Sequence, residues 1–419
     1  MSVFLFDNYN FSDNVATFTY KFEDITFTER IVFRDIALEY NSEVLERALF
    51  LAFVVIGTSY YKCFPVVKVQ FADAAIDTWQ AEFFNRIYQE GLGQFAYEND
   101  LRRADLATFC ATNEHNVQNV AYHGAGDIVM QSGGKDSLLL AALYEKTKKP
   151  FTAWYCTSSA QYPQVLDSLS ADLVICERQI DHRSLNIARS RGALNGHVPV
   201  TYIHASLAIV HAILRGASRV VLAVGHEGEE AHTSVGDLAV LHQWSKTWRA
   251  EQMLAEYVRH YISSGILLFS PLRRYSELRI AELFAEEAWA QYATRFSSCN
   301  LGNYMQGYDN RTLVWCGKCP KCVNSYLLFA PFVNPDELRS LFGGRELFAD
   351  ASLTETFKGL FGIDDIMKPF ECVGGIDELR QAYYMAQHTG SYASLPFDVP
   401  KSVFDYKKEY QSSGERIDE

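Results

Sequence analysis

The chain has 419 residues, 48% hydrophobic and 21% charged, with 25 glycines and 11 prolines. This is a globular composition, long enough for two or three domains and too poor in Gly and Pro for a low-complexity or collagenous chain. Thirty-eight basic against 51 acidic residues give a net charge of -13, which opposes attraction to nucleic acid or an anionic membrane surface but not a small anionic ligand in a local basic pocket.

The N-terminus, Met1-Ser2-Val3-Phe4-Leu5-Phe6-Asp7, carries no basic region followed by an apolar stretch and a cleavage site. The most apolar uncharged stretch, Ala48 to Tyr61, falls short of the roughly 20 residues that span a bilayer, so a cytoplasmic location is expected. Residues 1–120 open with alternating aromatic and polar residues, Phe18-Thr19-Tyr20-Lys21-Phe22 and then Ile31-Val32-Phe33, which predict the strands of a small β-rich unit. From residue 121 to 295 short apolar runs (Asp127–Gln131, Phe151–Cys156, Leu173–Cys176, Arg219–Val224) alternate with helical spacing such as Ile203, Leu207, Val210 and Leu214. That order predicts an α/β fold, a parallel sheet with helices on both faces and ligands at the carboxyl ends of its strands. Residues 296–389 read as a metal-binding and helical region, and 390–419 as a poorly ordered tail.

Two motifs carry chemistry. Gln131-Ser132-Gly133-Gly134-Lys135-Asp136-Ser137 lies between an apolar strand and a helix, so its backbone N–H groups can cradle a polyphosphate, the serines can add donors and Asp136 can hold the accompanying Mg²⁺. It lacks the Walker A pattern. Cys299, Cys316, Cys319 and Cys322 supply one distant and three closely spaced thiolates, the supply for a closed, structural tetrahedral Zn²⁺ site, and they point with the odd total of nine cysteines to a reducing compartment.

The Ser132–Ser137 loop resembles the Ser-Gly-Gly-x-Asp-Ser loop of the N-type ATP pyrophosphatases (PP-loop, HUP-like), which cleave ATP to AMP and pyrophosphate while adenylating a substrate oxygen. The nucleotide-binding residues expected on that basis are Ser132, Gly133, Gly134, Lys135, Asp136, Ser137 and Cys156. Loop and cysteines together are also similar to 7-cyano-7-deazaguanine synthases. Further segments, Leu194–Thr201, His242–Lys246, Pro271–Glu282 and Trp315–Cys322 running on to Ala330-Pro331, resemble in order the ATP-dependent UDP-N-acetylmuramoyl-L-alanyl-L-glutamate epimerases of the MurL type. The likeness covers roughly residues 120–345. Two departures stand out. Where the family carries Asn-Glu-Arg-Ser this chain has Gly225-His226-Glu227-Gly228, and where the family continues Arg-Asn after Ser298-Cys299-Asn300 this chain has Leu301-Gly302.

The resemblance implies ATP, Mg²⁺ and structural Zn²⁺, with a nucleotide-linked or other peptide as substrate. It implies inversion at the α-carbon of a C-terminal residue, a proton abstraction that adenylation eases by removing the charge of the adjacent carboxylate. An amide- or nitrile-forming ligase is the alternative. Proton transfer falls to Glu227, His226, Lys246 or His197, and Asn195, Arg273 and Arg279 are candidates for the substrate's anionic groups. Each histidine is alternatively a hydrogen-bonded structural residue, Lys246 a solvated one, and the arginines members of ion pairs along a helix face.

Overall fold

The computed structural model describes residues 2–37, 39–113, 118–159, 161–305 and 311–417. Its strands are β1 (Phe4–Ser12), β2 (Val15–Phe22), β3 (Ile25–Phe33), β4 (Val69–Phe71), β5 (Asp127–Met130), β6 (Thr152–Thr157), β7 (Asp172–Gln179), β8 (Arg219–Val221), β9 (Thr233–Val235), β10 (Leu238–Val240) and β11 (Leu267–Phe269). Nine of them form one sheet in the order β11-β8-β5-β6-β7-β3-β2-β1-β4, while β9 and β10 make a separate hairpin. The block from β11 to β7 is parallel, as the alternation of strands and helices predicts.

The N-terminal strands do not build a sheet of their own. In β2, Ala16, Phe18, Tyr20 and Phe22 are buried on alternate positions, the period of a strand with one packed face. The hairpin to β1 turns through Asp13 and Asn14, both at positive φ, as a two-residue turn with native twist requires. The edge left by β3 then pairs antiparallel with β7, so the β-rich unit extends the parallel sheet. At that seam Arg178 donates to the buried Glu29, which also accepts a 2.7 Å hydrogen bond from Tyr60.

Two cores cover the two faces. Ile128, Trp154 and Val220 point into one, and their strand neighbours Val129, Ala153 and Val221 into the other. The first is closed by the helices Ser42–Tyr61 and Val200–Arg215, the second by Lys135–Lys146, Glu277–Glu287, Pro320–Phe329 and Ile376–His388. The helix holding Ala48–Tyr61 starts earlier than the apolar run suggests. At 20 residues it is long and apolar enough to cross a membrane, but its most apolar window is 78% buried inside the protein, so it acts here as a core helix.

The reading of residues 390–419 as a poorly ordered tail is corrected, except for Asp418 and Glu419, which lie outside the described residues. Leu395, Val399 and Ile417 are buried, Tyr410 N–H donates to the Arg274 carbonyl at 2.9 Å, and Arg274 donates to the Gly414 carbonyl at 2.8 Å. The segment straps across β11 and the loop that follows it; its polar composition hides these spaced anchors.

Candidate functional site

Strand β5 ends at Met130 and the helix Lys135–Lys146 begins five residues later, with Gly134 as N-cap and no side-chain cap. The helix therefore presents unused N–H groups and the positive end of its dipole, an anion site in outline. Gly133 has φ +78, and a Cβ there would sit 2.7 Å from Leu313 Cδ1, so the turn admits only glycine. Ser137 Oγ accepts from Ser132 N–H at 3.1 Å and Ser132 Oγ from Gly134 N–H at 3.3 Å; these bonds hold the loop around a concave floor. Above it lies a cavity of about 320 Å³ lined by Gln131, Ser132, Gly134, Asp136 and Ser137, by Thr201 and His204, by Leu222–Val224 after β8, and by Lys246, Ser297, Ser298, Asn300 and Lys321.

Lys135 belongs to the loop but turns away from this cavity. Its side chain is 6% exposed and bonds Asp136 at 2.6 Å and Glu277 at 2.7 Å. Burial opposes its charge, yet the two carboxylates outweigh that and hold it protonated. Glu277 pays for sharing one cation with Asp136: burial, opposed by Lys135 and reinforced by Asp136 and Glu227, pushes its carboxyl up to about 8. Its Oε1 has no hydrogen-bond partner among the described residues. Cys156 also stays outside the cavity lining. It bonds Cys176 and His204, and these, the Cys176 bond first, hold its thiol well below the usual range.

A second cavity, of about 490 Å³, opens beside the first and shares Gln243 and Cys372 with it. His226, Glu227 and Gly228, on the segment after β8, line it together with Glu230, His232, His242, Glu277, Lys368, Glu371, the start of the helix Ile376–His388, and Tyr410. Glu227 on this side and Lys246 on the other form an ion pair at 3.3 Å, so one ion pair spans the junction. Burial opposes the Lys246 charge, but Cys372, Glu227, Asp136 and Glu277 raise it above its ordinary value. His226 stacks on Tyr410 with ring centroids 3.6 Å apart, and burial, then Arg273 and Lys408, lower its imidazole to about 4.

Four expected site residues lie elsewhere. His197 packs against His242 at 5.0 Å, behind the second cavity, and its imidazole is lowered to about 4, by burial and then by Lys62. Asn195 is exposed and its carbonyl accepts from Asn99. Arg279 pairs with Glu282 on its own helix. Arg273 is buried, donating to Glu251 at 2.9 Å and to the Gly225 carbonyl at 2.6 Å, and so supports the segment bearing Glu227 where a substrate contact was expected. Conversely, Glu277, Gln243, Lys321, Cys372, Lys368 and Tyr410 line the cavities without having been picked out as site residues. The run Cys372-Val373-Gly374-Gly375 before a helix was the available signal, a glycine turn of the kind that admits close backbone approach.

The histidines give the site a pH signature. Burial first, then His197, His232, Lys246 and Lys321, lower His242 from 6.5 to about 2. The unfolded chain takes up this proton below pH 6.5 and the folded one does not, so the stability is present above that pH and drains as pH falls toward the folded value. The variant His242→Asn is expected to flatten the decline of unfolding free energy between pH 6.5 and about 4 by up to ~1.4 kcal/mol per pH unit, measurable by urea titration across that range.

The sulfurs of Cys299, Cys316, Cys319 and Cys322 lie within 4.8 Å of one another, with close pairs at 3.7, 3.6 and 3.6 Å. Metal–sulfur bonds of about 2.3 Å in a tetrahedron put sulfurs about 3.8 Å apart, so this cluster fits a four-thiolate metal site.

Two family models cover most of the chain: the MurL N-terminal domain matches residues 1–271 and the MurL C-terminal domain residues 295–410. Among curated proteins, the UDP-N-acetyl-alpha-D-muramoyl-L-alanyl-L-glutamate epimerase of Xanthomonas oryzae pv. oryzae is 30% identical over 343 residues, 82% of this chain and 75% of the relative. The protein of the same name from Salinispora tropica is 30% identical over 412 residues, 94% of this chain and 87% of its own length. That from Micromonospora sp. is 29% identical over 359 residues, covering 84% and 77%. With both domain models matched in order along the chain, and the Ser132–Ser137 loop and the Glu227–Lys246 pair meeting at the carboxyl edge of the sheet, the chain belongs to the MurL family.

Proposed function

We propose that the protein is a cytoplasmic, ATP-dependent epimerase that activates the terminal carboxylate of UDP-MurNAc-L-Ala-L-Glu, inverts the glutamate α-carbon and releases AMP and pyrophosphate, in the PP-loop manner. The observation that carries this reading is the Glu227–Lys246 pair at the junction of the two cavities. Activation and proton transfer need adjacent chambers, because the carboxyl carbon and the α-carbon of one residue are a single bond apart. The first cavity suits the nucleotide, with the uncapped helix N-terminus for phosphate and Asp136 for Mg²⁺. The second suits the peptide end.

Removing an α-proton beside an ionised carboxylate would place two negative charges on neighbouring groups; an activated carboxyl avoids this, and the enolate is then stabilised by nearby cations. Glu227 takes the proton, with Lys246 beside it. Glu277, whose carboxyl burial pushes up against the opposing pull of Lys135, lines the same cavity as Glu227. Zinc in the Cys299, Cys316, Cys319 and Cys322 cluster plays a structural part, tying the Ser297–Cys299 segment to the helix Pro320–Phe329. Cys322→Ser is expected to cut bound metal from about one zinc per chain to a small fraction and to lower the melting temperature, as read by metal analysis and thermal unfolding.

A second reading keeps the reaction and changes the peptide. Gly228 lines the second cavity where the family resemblance leads one to expect an arginine. Incubation with Mg-ATP and UDP-MurNAc-L-Ala-L-Glu, followed by ³¹P NMR and chiral analysis of the hydrolysed glutamate, tests both. D-glutamate with AMP and pyrophosphate is the expected result. ADP with phosphate contradicts the activation chemistry, an amide product formed with ammonia favours the ligase, and turnover confined to another peptide favours the second reading.

A further inference from the structure

Lys321 stands between two ligands of the metal cluster, one residue after Pro320 in a helix whose N-cap is Cys319. Cys319 and Cys322 have sulfurs 3.6 Å apart, so the backbone of Lys321 is fixed from both sides, and the residue lines the Ser132–Ser137 cavity. Every other lysine or arginine lining the two cavities is already partnered: Lys246 with Glu227, Lys368 with Glu230, and Arg380 with Asp377 and the Phe361 carbonyl. Lys135, on the loop itself, is paired twice. Lys321 alone among them has neither a hydrogen bond nor an ion pair among the described residues. Glu371, whose carboxyl burial pushes up, feels the Lys321 charge but bonds Asn300 instead.

The same cluster anchors the opposite lip. Ser297 N–H donates to the Gly133 carbonyl at 3.4 Å, and Ser298 Oγ lies 3.1 Å from where a Cβ on Gly134 would be, with the ligand Cys299 following directly. A cavity floored by free helix N–H groups, walled by serine hydroxyls and furnished with one uncommitted ammonium is complementary to a chain of phosphates.

From this geometry we infer that Lys321 is a nucleotide-binding residue that grips the β- and γ-phosphates, the part of the nucleotide that leaves as pyrophosphate, and that the cysteine cluster serves to hold it there. The inference rests on the ATP reading above and adds which residue meets the leaving group. The ammonium neutralises charge that a diphosphate or triphosphate carries and a monophosphate lacks, so its effect depends on phosphate number.

The test is calorimetric titration of the full-length, zinc-loaded protein with Mg-AMP-PNP and with AMP, for wild type, Lys321→Ala, Lys321→Arg and Lys318→Ala. Lys318 is exposed on the same cysteine segment and lines neither cavity. Lys321→Ala is expected to weaken AMP-PNP by about 10- to 100-fold, the loss of one charge-assisted contact, with AMP affinity changed less than about twofold. Lys321→Arg recovers most of the loss, and Lys318→Ala behaves as wild type. Zinc content and circular dichroism equal to wild type confirm folding, and the arginine variant carries the comparison should alanine unfold the segment. If Lys321→Ala binds AMP-PNP as wild type does, or loses AMP and AMP-PNP equally, the Lys321 assignment falls while the ATP reading stands. If wild type binds neither nucleotide, the ATP reading itself falls and takes the assignment with it.

Discussion

Glu227→Gln is expected to lower the epimerisation rate by about 10²–10⁴-fold, the range lost with a general acid–base group, while AMP-PNP affinity stays near wild type. The amide keeps the size and the hydrogen-bonding capacity of the side chain but cannot accept the α-proton. Lys246 would still face Asp136, Glu277 and Cys372, so its charge keeps company and the first cavity keeps its form. The measurement is steady-state turnover beside nucleotide titration. A variant with unchanged turnover removes Glu227 from the chemistry, whereas one that loses nucleotide binding in step gives it a structural role. His226, the neighbouring candidate, is a neutral imidazole stacked on Tyr410, and His226→Gln should cost less than Glu227→Gln.

Arg273→Ala should produce the largest stability loss of any single change near the site, about 3–5 kcal/mol, the range for breaking a buried ion pair. Arg273 and Glu251 side chains are each 1% exposed. Removing the guanidinium leaves the Glu251 carboxylate buried with, among the described residues, only the Ser270 N–H, at 3.1 Å, to bond it, and takes from the Gly225 carbonyl one of its two donors, the other being the Glu227 N–H at 2.9 Å. In a chain of this length the melting temperature falls by on the order of 3–6 °C. The double variant Arg273→Ala with Glu251→Gln should regain part of that loss, because it removes the uncompensated charge; residues in one network are coupled in this way. A substrate-binding arginine would instead raise KM with the melting temperature unchanged, and calorimetry beside kinetics separates the two.

What could be read from the chain was chemistry written in short, local spacing. The Ser132–Ser137 loop was legible because strand, glycine turn and helix N-terminus are contiguous, and the cysteine cluster because three of its members lie within seven residues. The parallel order of β5 to β8 followed from alternating apolar runs. Partners far apart in sequence were not legible. Arg273 and an exposed arginine look alike until Glu251, 22 residues away, is seen beneath it. Lys135 reads as a phosphate contact until Glu277, 142 residues on, claims it. The continuity of the N-terminal strands with the parallel sheet depends on the β3–β7 edge, which no local pattern announces. The strap carrying Tyr410 has no motif, and it enters the site only through tertiary packing.

The central claim is that the α-proton leaves only after ATP has activated the neighbouring carboxyl. Reaction of UDP-MurNAc-L-Ala-L-Glu with the protein in D₂O, with and without Mg-ATP, tests it most directly by following deuterium at the glutamate α-carbon by mass spectrometry. The account predicts α-deuteration together with D-glutamate when ATP is present, and neither when it is withheld. Deuterium exchange that proceeds equally without ATP, or ATP cleavage with no exchange at all, would contradict it.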